Sequence, residues 1–193
     1  MNEISLYKKL KARKFFLVGF MATGKTTIGK RLSSKLNLPF FDSDKEIELA
    51  VGCSIDKYFK TNGEEKFRAI EEKIIIEKIK KNKDNNFIMS LGGGAYLNHN
   101  IRELISLVGI SVWLNSNIDI VYRRLQKSKH VRPLMVSFNT KEKLEKLLKE
   151  RVLYYQRANI KVNIINTSKD KMSNIILNKI EKYISIKDGK NKN

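Results

Sequence analysis

The chain has 193 residues, of which 41% are hydrophobic and 31% are charged, and its formal net charge at pH 7 is +19. This length predicts one medium-sized domain with a substantial core, and no apolar run approaches the roughly 20 residues of a bilayer-spanning helix. A single cysteine excludes an internal disulfide and predicts a cytoplasmic location. The lysines are spread along helix-like stretches, which favours attraction to small phosphorylated anions over dedicated nucleic-acid binding.

Short apolar runs alternate with longer amphipathic ones along the chain. The predicted strands cover residues 14–19, 39–42, 87–91, 110–114 and 161–165. The predicted helices cover residues 25–37, 44–51, 64–82, 98–107, 117–127, 140–157 and 170–184. Three consecutive isoleucines at 74–76 would suit a strand, but their Glu- and Lys-rich surroundings favour a helix. The alternation predicts an α/β fold with a five-stranded parallel sheet covered by helices on both faces, and ligands at the C-terminal ends of the strands.

Three segments lie outside this alternation. Residues 1–13 form a basic leader that we expect to be frayed, and residues 186–193 form a polar C-terminal tail, so the predicted single domain spans 14–185. Residues 126–140 have weak periodicity and form a long polar excursion, which we interpret as a mobile lid.

Residues 19–26 read GFMATGKT and match the pattern G-x-x-x-x-G-K-[ST], with a predicted strand before it and a predicted helix after it. The backbone N–H groups of such a loop surround phosphates at a helix N-terminus, where the helix dipole favours anions. Lys25 would reach the β- and γ-phosphates, and the hydroxyl of Thr26 would bind Mg²⁺. A chance glycine turn is the alternative, but the lysine, the threonine and the preceding strand favour ATP or GTP binding.

Two aspartates, Asp42 and Asp44, follow the second predicted strand in the run FFDSDKEIE. In a doubly wound sheet this strand end lies beside the phosphate loop. One carboxylate could belong to the Mg²⁺ shell, and the other could accept a hydrogen bond from a substrate hydroxyl. Alternatively, Ser43 or Asp44 could simply cap the next helix.

Four further features are modest signals when each is taken alone. Arg68 lies in GEEKFRAIEE, where an ion pair within the helix is the default expectation. The three glycines of SLGGGAY follow an apolar strand and would let the backbone approach an anion, unless they form a plain tight turn. Arg132 lies in the expected lid, and Arg151 in LLKERVLYY would ordinarily be a solvated helix charge.

The order and spacing of these motifs are more specific than any one of them. The phosphate loop, D-S-D, F-R-x-x-E-E, G-G-G-A, R-P-L and a late K-E-R together resemble shikimate kinases over residues 14–180. The resemblance implies the single-domain P-loop kinase fold of the nucleoside-monophosphate-kinase type. It also implies ATP- and Mg²⁺-dependent phosphorylation of the shikimate 3-hydroxyl, in the cytoplasmic route to the aromatic amino acids.

The resemblance assigns the acceptor side to residues far from the phosphate loop. It implies that Arg68 and Arg151 clamp the shikimate carboxylate and that Asp44 binds its hydroxyls. The implied substrate-binding set is Asp44, Arg68, Gly92, Gly93, Gly94 and Arg151. The chemistry agrees, because arginines bind carboxylates through bidentate, charge-assisted hydrogen bonds, and an aspartate suits hydroxyl groups.

On the nucleotide side, the resemblance implies that Arg132 closes over the ATP phosphates and that Arg124 lies near the adenine. Thr26 would hold Mg²⁺, with Asp42 in the outer shell of the ion. The implied ATP-binding set is Ala22, Thr23, Gly24, Lys25, Thr26, Thr27, Arg124 and Arg132. The implied catalytic residues are Lys25, Asp44 and Arg132.

The chain departs from the family's pattern at two places. Ala22 occupies a position in the phosphate loop where the family commonly has glycine, and its methyl group would be strained if the backbone φ there is positive. The family often places a basic residue near the final strand, against the adenine. That residue has no clear match in this chain, and Lys169 is the nearest candidate.

Two other functions stay open at this point. Another small-molecule kinase of the same fold, such as a gluconate or nucleoside monophosphate kinase, would also carry the phosphate loop. A basic nucleic-acid-binding protein could use the loop as a regulatory nucleotide site. If the chain is a shikimate kinase, we expect it to bind ATP and shikimate, to bind neither nucleic acid nor membranes, and to be a monomer.

Overall fold

The computed structural model describes Leu10 and residues 13–127 and 140–190; for Lys190 it describes the backbone only. The strands are β1 (Phe15–Val18), β2 (Phe40–Asp42), β3 (Ile88–Ser90), β4 (Ile110–Asn115) and β5 (Ile160–Asn163). The α-helices are α1 (Lys25–Leu36), α2 (Ser43–Val51), α3 (Ile55–Lys81), α4 (His99–Val108), α5 (Ile118–Gln126), α6 (Lys141–Tyr155) and α7 (Lys169–Lys190). A short 3₁₀ helix, Ala95–Leu97, precedes α4. Most of the expected lid, including Arg132, lies outside the described residues.

The strands form one sheet in the order β2-β3-β1-β4-β5, and every pairing is parallel. The predicted five-stranded parallel sheet is therefore confirmed. Because β1 lies between β3 and β4, the loops that leave β1 and β3 begin side by side at the same edge of the sheet. This order brings together segments that are more than 60 residues apart in the chain.

The core has two layers, one on each face of the sheet. Phe16 and Val18 of β1 belong to one buried cluster, whereas Phe15 and Leu17 belong to the other, because successive strand side chains point to opposite faces. The first cluster is completed by residues of α3, α4, α5 and α6, and the second by residues of α1 and α7. The almost fully apolar sequence of β1 follows from burial on both faces.

One predicted helix begins well before its expected start. The helix predicted over 64–82 begins at Ile55, with a kink at Gly63, where φ is 79° and ψ is 173°. Ser54 caps the first segment, and its side chain accepts a hydrogen bond from the Lys57 N–H. The first segment has few buried apolar positions, so its periodicity was too weak to predict. The isoleucine run is helical, as predicted, and Ile75 is buried.

The packed structure extends beyond residues 14–185 at both ends. Helix α7 continues to Lys190 instead of ending near residue 184, so part of the expected polar tail is helical. Leu10 is buried in the core although it lies in the segment expected to be frayed. Arg13 forms an ion pair with Asp188 at 3.2 Å, which joins the two ends. Within the described ranges, none of the helices is both long and apolar enough to cross a membrane.

Candidate active site

A cavity of about 410 Å³ lies at the C-terminal edge of the sheet, against the segments that follow β1, β2 and β3. The predicted site residues in its lining are Ala22, Thr23, Gly24, Lys25, Thr26, Thr27, Asp44, Gly92, Gly93 and Arg124. Asp42, Arg68, Gly94 and Arg151 are not in the lining; Asp42 bonds to Thr26, Arg151 bonds to Gly93, and Arg68 lies against Gly94. The sheet topology therefore places the phosphate-loop residues and part of the predicted acceptor set in one cavity.

The phosphate loop connects β1 to α1 in the way its sequence predicts. Gly24 is the N-cap of α1 and has φ 96°, a left-handed conformation that glycine adopts at little cost. No described side chain caps this N-terminus, so its N–H groups and the positive end of its dipole are available to an anion. The Thr23 hydroxyl donates to the Phe20 carbonyl at 2.9 Å and holds the loop from inside.

Ala22 has a positive φ of 57°. The strain anticipated for a methyl group at this position is therefore present, and a left-handed non-glycine residue costs about 1–2 kcal/mol. The Ala22 carbonyl accepts a hydrogen bond from Arg124 Nη1 at 3.0 Å, which ties this turn of the loop to α5. Arg124 thus reaches the loop across the cavity that both residues line.

Lys25 is folded against its own loop. Its Nζ donates to the carbonyls of Gly19 at 2.9 Å and Phe20 at 2.8 Å, and its side chain is buried. The ammonium group is therefore inside the ring of the loop, next to the N–H groups that begin α1. A phosphate bound there would compete with these two carbonyls for the lysine protons.

Thr26 and Asp42 form a direct pair. The Thr26 hydroxyl donates to Asp42 Oδ2 at 2.6 Å, while Asp42 Oδ1 accepts from the Asp44 N–H and caps α2. The cap is thus Asp42, not Ser43 or Asp44. A hydroxyl and a carboxylate are hard oxygen ligands that fit Mg²⁺, which usually combines few protein ligands with substrate phosphates and water. Within the described residues no cluster of three or more His, Cys, Asp or Glu forms a separate metal cage.

Asp44 lines the same cavity as Lys25 and lies close to the glycine turn that we define as Gly92–Gly94. A Cβ atom on Gly92 would lie 2.6 Å from Asp44 Oδ1 and 3.0 Å from Glu71 Oε1. Burial raises the pKa of the Glu71 carboxyl above its ordinary value, Arg68 opposes that shift, and the nearby Asp44 charge adds to it. Two carboxylates therefore meet the glycine turn at this point.

Arg68 forms the ion pairs expected within its helix, and it also reaches the glycine turn. It pairs with Glu71 at 2.7 Å and with Glu64 at 3.1 Å. A Cβ atom on Gly94 would lie 2.6 Å from Arg68 Nη1, so a larger residue there would displace the guanidinium from its present position. Burial by itself lowers the pKa of Arg68, but the Glu71 and Glu64 carboxylates outweigh it and raise the pKa above its ordinary value.

Arg151 is not a solvated helix charge. It is 5% exposed, and its Nε is buried without a hydrogen-bond partner among the described residues. Its Nη1 donates weakly to the Gly93 carbonyl at 3.4 Å, and its guanidinium lies 5.6 Å from the centre of the Phe20 ring. A buried guanidinium with unused donors is a strong binding group for a carboxylate or phosphate.

Several residues at the site were missed by the sequence analysis. A further wall of the cavity includes Leu125 of α5 and, after the last strand, Ile164, Ile165, Thr167 and Met172. For the last four, the position after that strand was a usable signal, since ligands bind beyond the carboxyl ends of such strands. Lys169, which the sequence analysis named as the nearest candidate for a basic residue, also lines the cavity. Glu71, Ser43 and Tyr155 contact site residues but carried no sequence signal as single residues.

Comparisons with known proteins show which family the chain resembles. The shikimate kinase family model matches residues 21–183. A shikimate kinase of Bartonella quintana is 39% identical over 180 residues, covering 93% of this chain and 83% of that protein. The structure of an Acinetobacter baumannii shikimate kinase in complex with shikimate has a TM-score of 0.81 and 31% identity, covering 89% of this chain and 94% of the other.

An Aquifex aeolicus shikimate kinase is also similar, with a TM-score of 0.74 and 30% identity, covering 87% of this chain and 96% of the other. The matches cover between 83% and 96% of the length of each of these relatives. With the motif order, the parallel sheet and the two-ended cavity, these matches lead to one conclusion. This chain belongs to the shikimate kinase family.

Proposed function

We propose that this protein transfers the γ-phosphoryl group of ATP to the 3-hydroxyl of shikimate, giving shikimate 3-phosphate and ADP, in the synthesis of chorismate and the aromatic amino acids. One observation carries the proposal. Arg68 and Arg151 reach the same glycine turn from two different helices, and that turn lines the same cavity as the phosphate loop. A small acceptor with a carboxylate fits the two guanidinium groups.

The acceptor side matches a small ring with one carboxylate and several hydroxyls. Arg151 offers a buried, unused Nε, and Arg68 is held in place by Glu71 and Glu64. Asp44 would accept a hydrogen bond from the reacting hydroxyl and orient its oxygen towards the γ-phosphorus. Gly92, Gly93 and Gly94 would let the acceptor approach the backbone closely.

The transfer forms a bond between the acceptor oxygen and the γ-phosphorus and breaks the bond between that phosphorus and the β-γ bridging oxygen. The hydroxyl proton leaves towards Asp44, and ADP departs with the bridging oxygen. Lys25 and the N–H groups of the loop would neutralise charge on the phosphates. We assign Arg132 to the same task from its sequence motif; it lies outside the described residues.

Mg²⁺ would be held by the Thr26 hydroxyl, with Asp42 in its outer shell, and would neutralise charge on the β- and γ-phosphates. On the adenine side, Ile165, which is half exposed, and Arg124 of α5 both line the cavity. An apolar side chain and a guanidinium are both groups that can pack against the face of an adenine ring. The ATP-binding residues remain those named from the sequence, with this wall added.

The alternative acceptors fit less well. A nucleoside monophosphate needs a pocket for a second base, whereas the acceptor end is occupied by charged side chains that face a short glycine turn. A gluconate kinase would share the carboxylate but not the family's full motif order. We also propose a monomer in the cytoplasm that binds small molecules and not nucleic acid, supported by the scattered lysines and the single cysteine.

The test is coupled ADP release with Mg·ATP and, in separate reactions, shikimate, gluconate, AMP or CMP. We expect turnover with shikimate alone. No turnover with shikimate, together with turnover of another acceptor, would refute the proposal. Salt-sensitive binding to DNA or RNA without any kinase activity would instead support a nucleic-acid-binding protein with a regulatory nucleotide site.

A further inference from the structure

The glycine turn is held by two side chains that have no role in the proposed chemistry. The Gly92 N–H donates to Ser43 Oγ at 2.8 Å. The Tyr155 hydroxyl donates to the Gly93 carbonyl at 2.5 Å. Both side chains are fully buried, at 0% exposure, and they come from opposite sides, Ser43 from α2 and Tyr155 from α6.

These two hydrogen bonds act on successive residues of a very flexible segment. Three consecutive glycines can populate many backbone conformations, so the turn needs outside restraints to keep one. A peptide group is planar and trans, so a carbonyl directed at Tyr155 turns the following N–H, that of Gly94, in the opposite direction. The two bonds therefore set the orientation of the peptide groups that border the acceptor end of the cavity.

Tyr155 also shares its acceptor with Arg151. The Gly93 carbonyl accepts from Tyr155 at 2.5 Å and from Arg151 Nη1 at 3.4 Å, so the tyrosine makes the stronger bond. The two residues are four apart on α6 and lie on one face of the helix. If the hydroxyl were absent, this partly buried carbonyl would lose its shorter hydrogen bond, and the guanidinium would move closer to replace it.

We propose that Ser43 and Tyr155 are positioning residues for the acceptor, which hold the glycine turn and keep Arg151 available to the acceptor carboxylate. This inference rests on the proposed function, because a carboxylate-bearing acceptor is the ligand for which Arg151 is kept available. Burial raises the pKa of Tyr155 to about 12, so its hydroxyl keeps its proton and remains a donor at any assay pH. Neither residue is among those that line the cavity.

The test compares Tyr155→Phe with Tyr154→Phe in the full-length protein. Tyr155→Phe removes one hydroxyl and keeps the buried ring, and Tyr154→Phe makes the same chemical change at the neighbouring residue, whose ring packs against Arg102. We expect the shikimate KM of Tyr155→Phe to rise about 5- to 20-fold, the size of effect expected when one short hydrogen bond that orients a binding group is lost. The ATP KM should stay within about twofold, and Tyr154→Phe should change neither.

A second variant and a direct binding measurement complete the test. Ser43→Ala removes the acceptor of the Gly92 N–H and should produce the same split between the two KM values, which also decides the question if Tyr155→Phe does not fold. Shikimate binding can be followed by the fluorescence of the single tryptophan, Trp113, whose ring centre lies 6.1 Å from that of Tyr155. The shikimate Kd should rise in step with its KM.

Two outcomes would overturn the inference while leaving the proposed function intact. One is a normal shikimate KM in both Tyr155→Phe and Ser43→Ala. The other is an equal rise in both KM values, which would indicate a general structural role for these residues. By contrast, a wild-type protein without shikimate turnover would overturn the proposed function, and the inference with it.

Discussion

The two ends of the active-site cavity are built in different ways. The nucleotide end is one continuous segment, residues 19–27, whose backbone N–H groups and helix N-terminus face the cavity. The acceptor end is assembled from α2, α3, the glycine turn and α6, and its binding groups are charged side chains packed against each other. The phosphate site is therefore formed by one continuous segment, whereas the acceptor site is formed by four segments that are separate in the sequence.

This difference predicts how the two ends respond to change. A backbone-based site depends on local conformation, so single substitutions there should alter phosphate chemistry and leave the acceptor end in place. A site made of interlocking side chains depends on each partner, so substitutions there should weaken acceptor binding and leave ATP binding unchanged. The predictions below test that separation, starting with the largest expected effect.

Replacing Lys25 with methionine should give the largest loss. The variant keeps the apolar stem but removes the ammonium group, so kcat should fall by about 10²- to 10³-fold, the range for removing one preorganised electrostatic contact. Lys30→Met on the exposed side of the same helix is the matched control and should retain activity. Loss of shikimate binding in Lys25→Met, measured by tryptophan fluorescence, would show that the two ends are not separable.

Replacing Arg151 with alanine should weaken acceptor binding and leave ATP binding unchanged. We expect the shikimate KM to rise about 10- to 150-fold, because a charge-assisted hydrogen bond contributes about 1.5–3 kcal/mol. The ATP KM should be unchanged, and exposed Arg157→Ala near the end of the same helix serves as the control. A parallel loss of ATP binding would contradict the carboxylate clamp.

Raising the pH should reduce the contribution of the buried Tyr155 to the free energy of unfolding. The folded protein raises the pKa of Tyr155 to about 12, and an unperturbed tyrosine titrates near pH 10, so the unfolded state releases this proton first. The contribution of the neutral Tyr155 hydroxyl to the free energy of unfolding is therefore complete below pH 10. It is lost as the pH rises towards 12, at about 1.4 kcal/mol per pH unit. In urea unfolding, the difference in unfolding free energy between the wild type and Tyr155→Phe should shrink accordingly. A constant difference from pH 9 to 11.5 would contradict this prediction.

Replacing Ala22 with glycine should give the smallest effect, and it should be a gain. Relief of the positive φ should raise the free energy of unfolding by about 0.5–1 kcal/mol, after allowance for the greater freedom of glycine in the unfolded chain. Ala50→Gly in α2 is the matched control and should be destabilising by about the same amount. If Ala22→Gly also destabilises, the left-handed conformation carries no strain in this loop.

Local signals in the sequence were sufficient for the phosphate loop and the sheet. The pattern from Gly19 to Thr26 specifies a loop between a strand and a helix, because its glycines, lysine and threonine act within one short segment. The apolar strands predicted the parallel sheet because burial on both faces leaves little room for polar residues. Boundaries were less certain, and the segment before Gly63 was missed because its apolar periodicity is weak.

Only the tertiary structure decided how the acceptor end is arranged. The sequence determined that Arg68, Arg151 and the glycines are present. Taken one at a time, however, Arg68 was interpreted as part of an ion pair within its helix, Arg151 as a solvated charge, and the glycines as a tight turn. Their meeting depends on strand order, which places the loop after β3 beside the loop after β1 and brings α6 over both. The contacts of Ser43 and Tyr155 with the turn, and the sign of φ at Ala22, likewise depend on groups distant in the chain. A sequence pattern records local preference, whereas burial and long-range hydrogen bonds exist only after the chain has packed.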